Sequence, residues 1–215
     1  MICMKRQFWN AEKTEQSMSV LKFLPKRLGF VLIGGWAVYS YVKAQKSEDV
    51  DIAIDPERLD FFRRYGIREH EGSSIKYSIV DGATVDLFVN GYSDRDLPVP
   101  ISRIMKEYTS IDGIRVVSRE LLLILKLWGY FSNDETKIRK DIIDVTSLVF
   151  YANIDFEKFK RLIDEYKIPK RRSTDALLEY VAKSESVWGY IADSKGEFDR
   201  LKEKYSTKLR KLFAY

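Results

Sequence analysis

The sequence predicts an α+β fold: a small mixed or antiparallel sheet flanked by helices, followed by a C-terminal helical region. Three observations lead there. Between Phe30 and Val117, short β-rich runs alternate apolar and polar residues and are punctuated by Gly-Gly, Pro and Asp-Gly. From Ser118 onward the apolar residues recur instead at spacings of three and four. Finally, 215 residues with 45% apolar and 32% charged content can bury a real core, and no repeat or low-complexity tract interrupts them. We therefore expect an α/β core over residues 1–117 and a helical domain over residues 118–215.

Taken in order, Thr14 to Leu28 is a helix with Met18, Leu21, Leu24 and Leu28 on one face, and Pro25 ends or kinks it. Phe30 to Ile33 is a short strand that stops at Gly34-Gly35, after which Trp36 to about Val42 is helical. Asp49 to Asp55 alternates, with Val50, Ile52 and Ile54 on one face and Asp49, Asp51, Ala53 and Asp55 on the other, as in a half-buried strand. Glu57 to Tyr65 is helical after Pro56. Ile75–Val80 and Ala83–Val89 flank Asp81-Gly82, a strong hairpin signal because both turn residues tolerate positive φ. Tyr92 to Pro100 is a loop, and Ile114 to Val117 one more strand. Helices follow from an N-cap at Ser118, then over Asp134–Phe150, Asp155–Tyr166 and Thr174–Lys183. The last, Glu197–Phe213, places Phe198, Leu201, Tyr205, Leu209 and Leu212 on one face.

Composition excludes several chemistries. His70 is the only histidine and Cys3 the only cysteine, so Cys/His zinc sites and Cys–His dyads lack material within one chain. A Ser–His–Asp hydrolase would depend on His70, which sits in the charged stretch Arg68 to Ser73. No apolar run approaches a membrane span, no secretory signal is visible at Met1 to Asn10, and the lone cysteine favours the cytoplasm. The net charge of +5 is uneven: residues 29–118 carry 11 Lys/Arg against 14 Asp/Glu, while residues 1–28 and 155–215 are each +4. An acidic centre between basic flanks suits cation binding beside surfaces that tolerate a polyanion, although solvated helix faces account for charge alone equally well.

Carboxylates and lysines therefore carry any chemistry. Asp49 and Asp51 leave the same face of a strand roughly 6–7 Å apart, and carboxylates that close repel unless a cation sits between them. Mg²⁺ takes such oxygen ligands and retains waters that a substrate can replace. Asp86, between Val85 and Leu87, is a third acid; adjacency of the two strands would make all three converge. Gly34-Gly35, at a strand-to-helix junction, allows close approach of backbone amides to a phosphate.

The run FVLIGGWAVYSYVKAQKSEDVDIAI (Phe30–Ile54), with TVDLFV around Asp86, resembles the nucleotidyltransferase superfamily of the DNA polymerase β type. More narrowly, it is similar to the minimal nucleotidyltransferases related to abortive-infection toxins. Gly34, Gly35, Asp49, Asp51 and Asp86 match the family pattern, and Ser47 matches a Ser/Thr often found two residues before the acid pair. Gln45 stands where an Arg is usual, and Gly35 where a Ser is more widespread. Lys126 in LLLILKLWGYF, and Lys140, Asp141 and Asp144 in KIRKDIIDVTSLV, match the lysine and the Lys/Arg-Asp-x-x-Asp pattern of the related toxins. By spacing alone, Lys137–Asp141 and Lys140–Asp144 read equally as i,i+4 pairs on a helix surface, and Lys126 as a side chain that snorkels outward or enters a polar cleft. The resemblance covers residues 30–150.

The resemblance implies NMP transfer from an NTP to an acceptor hydroxyl. Asp49, Asp51 and Asp86 would hold Mg²⁺ or Mn²⁺, with Asp86 also the general base; Gly34, Gly35, Ser47, Lys126, Lys140, Asp141 and Asp144 would bind the nucleotide. It suggests an RNA or tRNA end or a protein side chain as acceptor, and an antitoxin protein as partner. Lys170-Arg171-Arg172 and the final helix (Lys202, Lys204, Lys208, Arg210, Lys211) offer basic groups to an RNA backbone, or are merely solvated. Two alternatives remain: a catalytically idle nucleotide- or partner-binding module of a toxin–antitoxin pair, and a small-molecule nucleotidyltransferase.

Overall fold

A computed structural model describes residues 6–24, 28–71, 74–79, 83–94, 97–129 and 134–213. It is an α+β fold whose seven-stranded mixed sheet has helices packed against it. The first half runs α1 (Ala11–Phe23), β1 (Val31–Leu32), α2 (Gly34–Val42), β2 (Val50–Ile54), α3 (Leu59–Tyr65), β3 (Gly66–Glu71), β4 (Ser74–Ile79) and β5 (Ala83–Val89). There follow α4 (Ile101–Ile104), β6 (Tyr108–Ile111), β7 (Ile114–Val117), α5 (Arg119–Trp128) and α6 (Glu135–Tyr151). The chain closes with α7 (Phe156–Glu165), α8 (Thr174–Lys183), α9 (Trp188–Ile191) and α10 (Lys195–Phe213).

The sheet order is β3-β4-β5-β2-β1-β7-β6. Strands β2 and β5 lie parallel with Asp51 opposite Asp86, and β1 runs antiparallel to β2 but parallel to β7. The expected alternation holds on β5, where Ala83, Val85, Leu87 and Val89 are buried and Thr84, Asp86 and Phe88 half-buried. On β2 it fails at one place. Ala53, on the face of Asp51, is fully buried along with Val50, Ile52 and Ile54, because this central strand is covered on both sides.

The edges of the sheet depart from the sequence reading. Strand β3 is the charged GIREHE segment, which alternation does not reveal; among the described strands it lies at the edge and pairs with β4, and charges suit such a position. Strand β6 forms the other edge, joined to β7 by Asp112-Gly113, whose φ values of 51° and 79° are those of a tight hairpin turn. The expected turn at Asp81-Gly82 lies outside the described residues, although β4 and β5 pair antiparallel as predicted.

Helix α1 ends at Phe23, two residues before Pro25, and buries Leu21 but also the polar Thr14 and Ser17. Ser118 sits at the N-cap position of α5 without capping it; its hydroxyl instead donates to Glu107, 3.0 Å away. Helix α6 differs most from its amphipathic reading. Every residue from Lys140 to Phe150 is buried, since α2, α5, α8, α9 and α10 all pack around it. Buried apolar residues from α1 through α10 form one cluster, including Trp36, Phe62, Phe159 and Phe198. Among the described residues, no helix is long and apolar enough to cross a membrane.

Candidate metal centre

Two structural features bring the acids together. The parallel register of β2 and β5 sets Asp51 beside Asp86. Asp49 precedes β2 by one residue, so a loop rather than the ladder carries it. Each of the three half-buried carboxylates offers an oxygen, and those oxygens all lie within 4.8 Å of one another. The third acid is therefore on the same side of the sheet as the pair.

The glycine turn abuts this cluster. The Ile33 amide donates to the Asp51 carbonyl at 3.0 Å, which carries the chain from β1 directly past Asp51 into α2. Gly34 takes φ +65°, and a Cβ there would stand 1.9 Å from Asp51 Oδ2. A Cβ on Gly35 would stand 2.5 Å from Ser47 Oγ. These glycines thus make room for Asp51 and Ser47, a reason beyond the approach to phosphate read from sequence. Ser47 is itself buried and donates to Asp49 Oδ1 at 2.8 Å, which orients that carboxylate.

Burial is the main reason the Asp51 carboxyl is pushed up to about 8, followed by the neighbouring charges of Asp49 and Asp86; Lys126 and the Gly35 amide pull the other way. Three acids at this spacing cannot all ionise cheaply without positive charge. Among the described residues the donor set consists of carboxylate oxygens, which fits a hard divalent cation such as Mg²⁺ or Mn²⁺.

Behind the triad lies a second cluster. Lys126 of α5 reaches Asp144 Oδ2 at 2.8 Å and Asp141 Oδ1 at 3.4 Å, and Lys140 pairs with the other Asp144 oxygen. Asp144 is completely buried. Burial pushes its carboxyl up, but the Lys126 and Lys140 ammoniums outweigh that and hold it below the usual range. Burial likewise works against the Lys126 charge, yet Asp144, Asp141 and, more weakly, Asp51 keep its pKa above that of a free lysine. Lys140 ends lower than a free lysine, chiefly through burial, and burial raises Asp141.

Lys126 therefore does not snorkel, and Lys140–Asp144 is an interior pair rather than a surface one. Asp141 turns to Lys126 across the α5–α6 contact; the alternative surface pair Lys137–Asp141 is not formed among the described residues. Tyr180 of α8, missed in the sequence, is buried by this cluster, and burial together with the Asp141 charge raises its phenol. Ser17 was missed as well: its hydroxyl donates to the Ser47 carbonyl at 2.6 Å and accepts from Trp36 Nε1 at 3.1 Å. The only signal for either would have been a polar group at a buried helical position.

Gln45 is buried, with its amide on the backbone of residues 6, 8 and 190. Around Lys170-Arg171-Arg172, the Arg172 guanidinium stands 4.3 Å from the centre of the Trp128 ring. The cations of α10 line its outer face, with Lys202 paired to Glu185 and Lys208 over Phe156. No protein-family model matches this sequence, and no curated protein does.

Proposed function

We propose that this chain is a cytoplasmic metal-dependent nucleotidyltransferase. The observation that carries the reading is the convergence of Asp49, Asp51 and Asp86 beside a glycine turn at the start of a helix. A divalent cation held by the three acids would offset the charge on the phosphates of an NTP and lower the pKa of an acceptor hydroxyl.

The protein's own groups do the rest. Asp86 takes the proton of the acceptor hydroxyl as its oxygen bonds to the α-phosphorus, and the bond from that phosphorus to pyrophosphate breaks. Amides at the N-terminus of α2, together with the Lys126 charge, favour the departing pyrophosphate. Lys140, Asp141 and Asp144 support this by holding Lys126 in place rather than by touching the nucleotide, since Asp144 is fully buried and both its oxygens meet lysines. The acceptor on this reading is an RNA end, with the basic residues of α10 and 170–172 along its path, and an antitoxin protein is a second partner.

Incubation with each α-labelled NTP, Mg²⁺ and total RNA tests the proposal. Label in RNA, lost in Asp51→Asn, is the expected result. Pyrophosphate release with label elsewhere moves the acceptor to protein or a small molecule. NTP binding without release reduces the chain to an idle module and ends the enzymatic reading.

A further inference from the structure

The three acids are not positioned alike. Asp51 and Asp86 sit in paired strands, so the ladder between β2 and β5 fixes their spacing. Asp49 sits outside the ladder, at the end of residues 43–49, which form neither helix nor strand. Something else must define where that carboxylate stands.

The loop is tied down on two sides. Towards α1, Ser17 holds the Ser47 carbonyl, while Lys46–Glu15 and Lys13–Glu48 are exposed ion pairs of the kind that contributes little. On the other side the anchor is Gln45, only 1% exposed. Its Nε2 donates to the Arg6 carbonyl at 2.7 Å and the Tyr190 carbonyl at 3.1 Å, and its Oε1 accepts from the Phe8 amide at 2.8 Å. One primary amide thus satisfies three backbone groups on two separate segments, using both donors and an acceptor. Those segments are themselves joined: the Arg6 amide donates to the Gly189 carbonyl at 3.0 Å, and the Phe8 ring meets Tyr190 edge-on at 5.6 Å.

We propose that Gln45 is a positioning residue for the metal centre. By locking residues 43–49 to the 6–9 strap and to α9, it sets where Ser47 and Asp49 stand relative to Asp51 and Asp86. This inference rests on the cation-binding part of the reading above, and not on the transfer reaction. The cation site is thereby coupled to two parts of the chain that contribute no ligand to it.

Mn²⁺ titration of the full chain, followed by the spectroscopic signal of free Mn²⁺ and paired with thermal unfolding, provides the test. Gln45→Met keeps the length of the side chain and removes all three hydrogen bonds. Its Mn²⁺ affinity is expected to fall roughly 10-fold, the usual scale for groups that orient ligands. Adding Gln45→Met to Asp49→Asn should cost little more than Asp49→Asn alone, because both act through the same ligand. Ile104→Ala, which destabilises the core at α4, should leave Mn²⁺ affinity unchanged in the folded protein. Should Gln45→Met fail to fold, Gln45→Asn keeps the amide but, one methylene shorter, cannot reach Arg6, Phe8 and Tyr190 together, and is expected to show a smaller loss.

Unchanged Mn²⁺ affinity in either folded Gln45 variant, additive losses with Asp49→Asn, or an equal loss in Ile104→Ala would each overturn the proposal. If the unaltered chain binds no Mn²⁺, the proposal and the metal-centre reading fall together. Mn²⁺ binding that depends on Gln45 without any nucleotide transfer upholds the proposal and removes the transferase reading.

Discussion

Asp51 is half-buried and Asp144 fully buried, both carboxylates feel the charge of Lys126, and they respond in opposite directions. Asp144 has two lysines on its two oxygens and stays ionised below the ordinary range. Asp51 has two further carboxylates for neighbours and is pushed up to about 8. One cluster is charge-balanced, two lysines against Asp141 and Asp144, so it behaves as structure. The other carries like charges that the fold brings together at a cost, and such arrangements concentrate at functional sites. Lys126 joins the two, pairing fully with Asp144 and acting on Asp51 at longer range.

The comparison breaks most sharply under neutralisation of one acid at a time. Asp51→Asn should lower transfer by about 10²–10³-fold, while thermal unfolding of the divalent-free protein shows stability equal to or above that of the parent, because the amide escapes the cost of folding an acid that must either take up a proton or face two other carboxylates. Asp144→Asn should do the reverse to stability. Leaving Lys126 and Lys140 buried with a neutral partner costs about 3–5 kcal/mol, read as a lower denaturant midpoint. If both substitutions destabilise alike, the distinction drawn between the clusters is wrong.

Gly34→Ala probes the seam between glycine turn and acid. The left-handed backbone alone costs about 1–2 kcal/mol, and the added Cβ would meet Asp51 Oδ2 at 1.9 Å. Pairing it with Asp51→Gly should recover part of the stability but none of the activity, as measured by unfolding and pyrophosphate release.

The smallest expected effect is on pH dependence. An unfolded Asp51 carboxyl releases its proton near the ordinary value of 3.8, the folded one at about 8. Between those values the native chain holds a proton that the unfolded chain has lost. The contribution of this group is thus fully present below 3.8 and fades as pH rises through 8. In chelator, the melting temperature should drop by about 2–4 °C for each kcal/mol lost on this account, and Mn²⁺ should flatten the slope. Asp51→Asn should flatten it without metal.

Much of this was legible from residue order. Alternation in Asp49–Asp55 and Ala83–Val89 located both central strands, and Asp-x-Asp after a glycine pair located the acids. The Asp112-Gly113 hairpin carried the same signal as Asp81-Gly82, but its first arm, Tyr108–Ile111, is short and exposed and shows no alternation. β3 was illegible because an edge strand need bury little, so GIREHE has no apolar face to display. Lys140–Asp144 illustrates the opposite failure. An i,i+4 pair looks the same in sequence on a surface or in an interior, and only the packing around α6 decides between them.

What the sequence by itself determined, then, was the central strands and most of the longer helices, the near absence of histidine and cysteine, and the choice of carboxylates as the chemistry-bearing groups. Those follow from local periodicity and residue type, which act over a few positions. Only the tertiary structure decided that Asp86 stands beside Asp51, that Lys126 faces inward, and that Gln45 ties the loop before Asp49 to residues 6–8 and Tyr190. Each is a contact between residues at least 35 positions apart or across two helices, set by strand register and by burial, which no short window of sequence encodes.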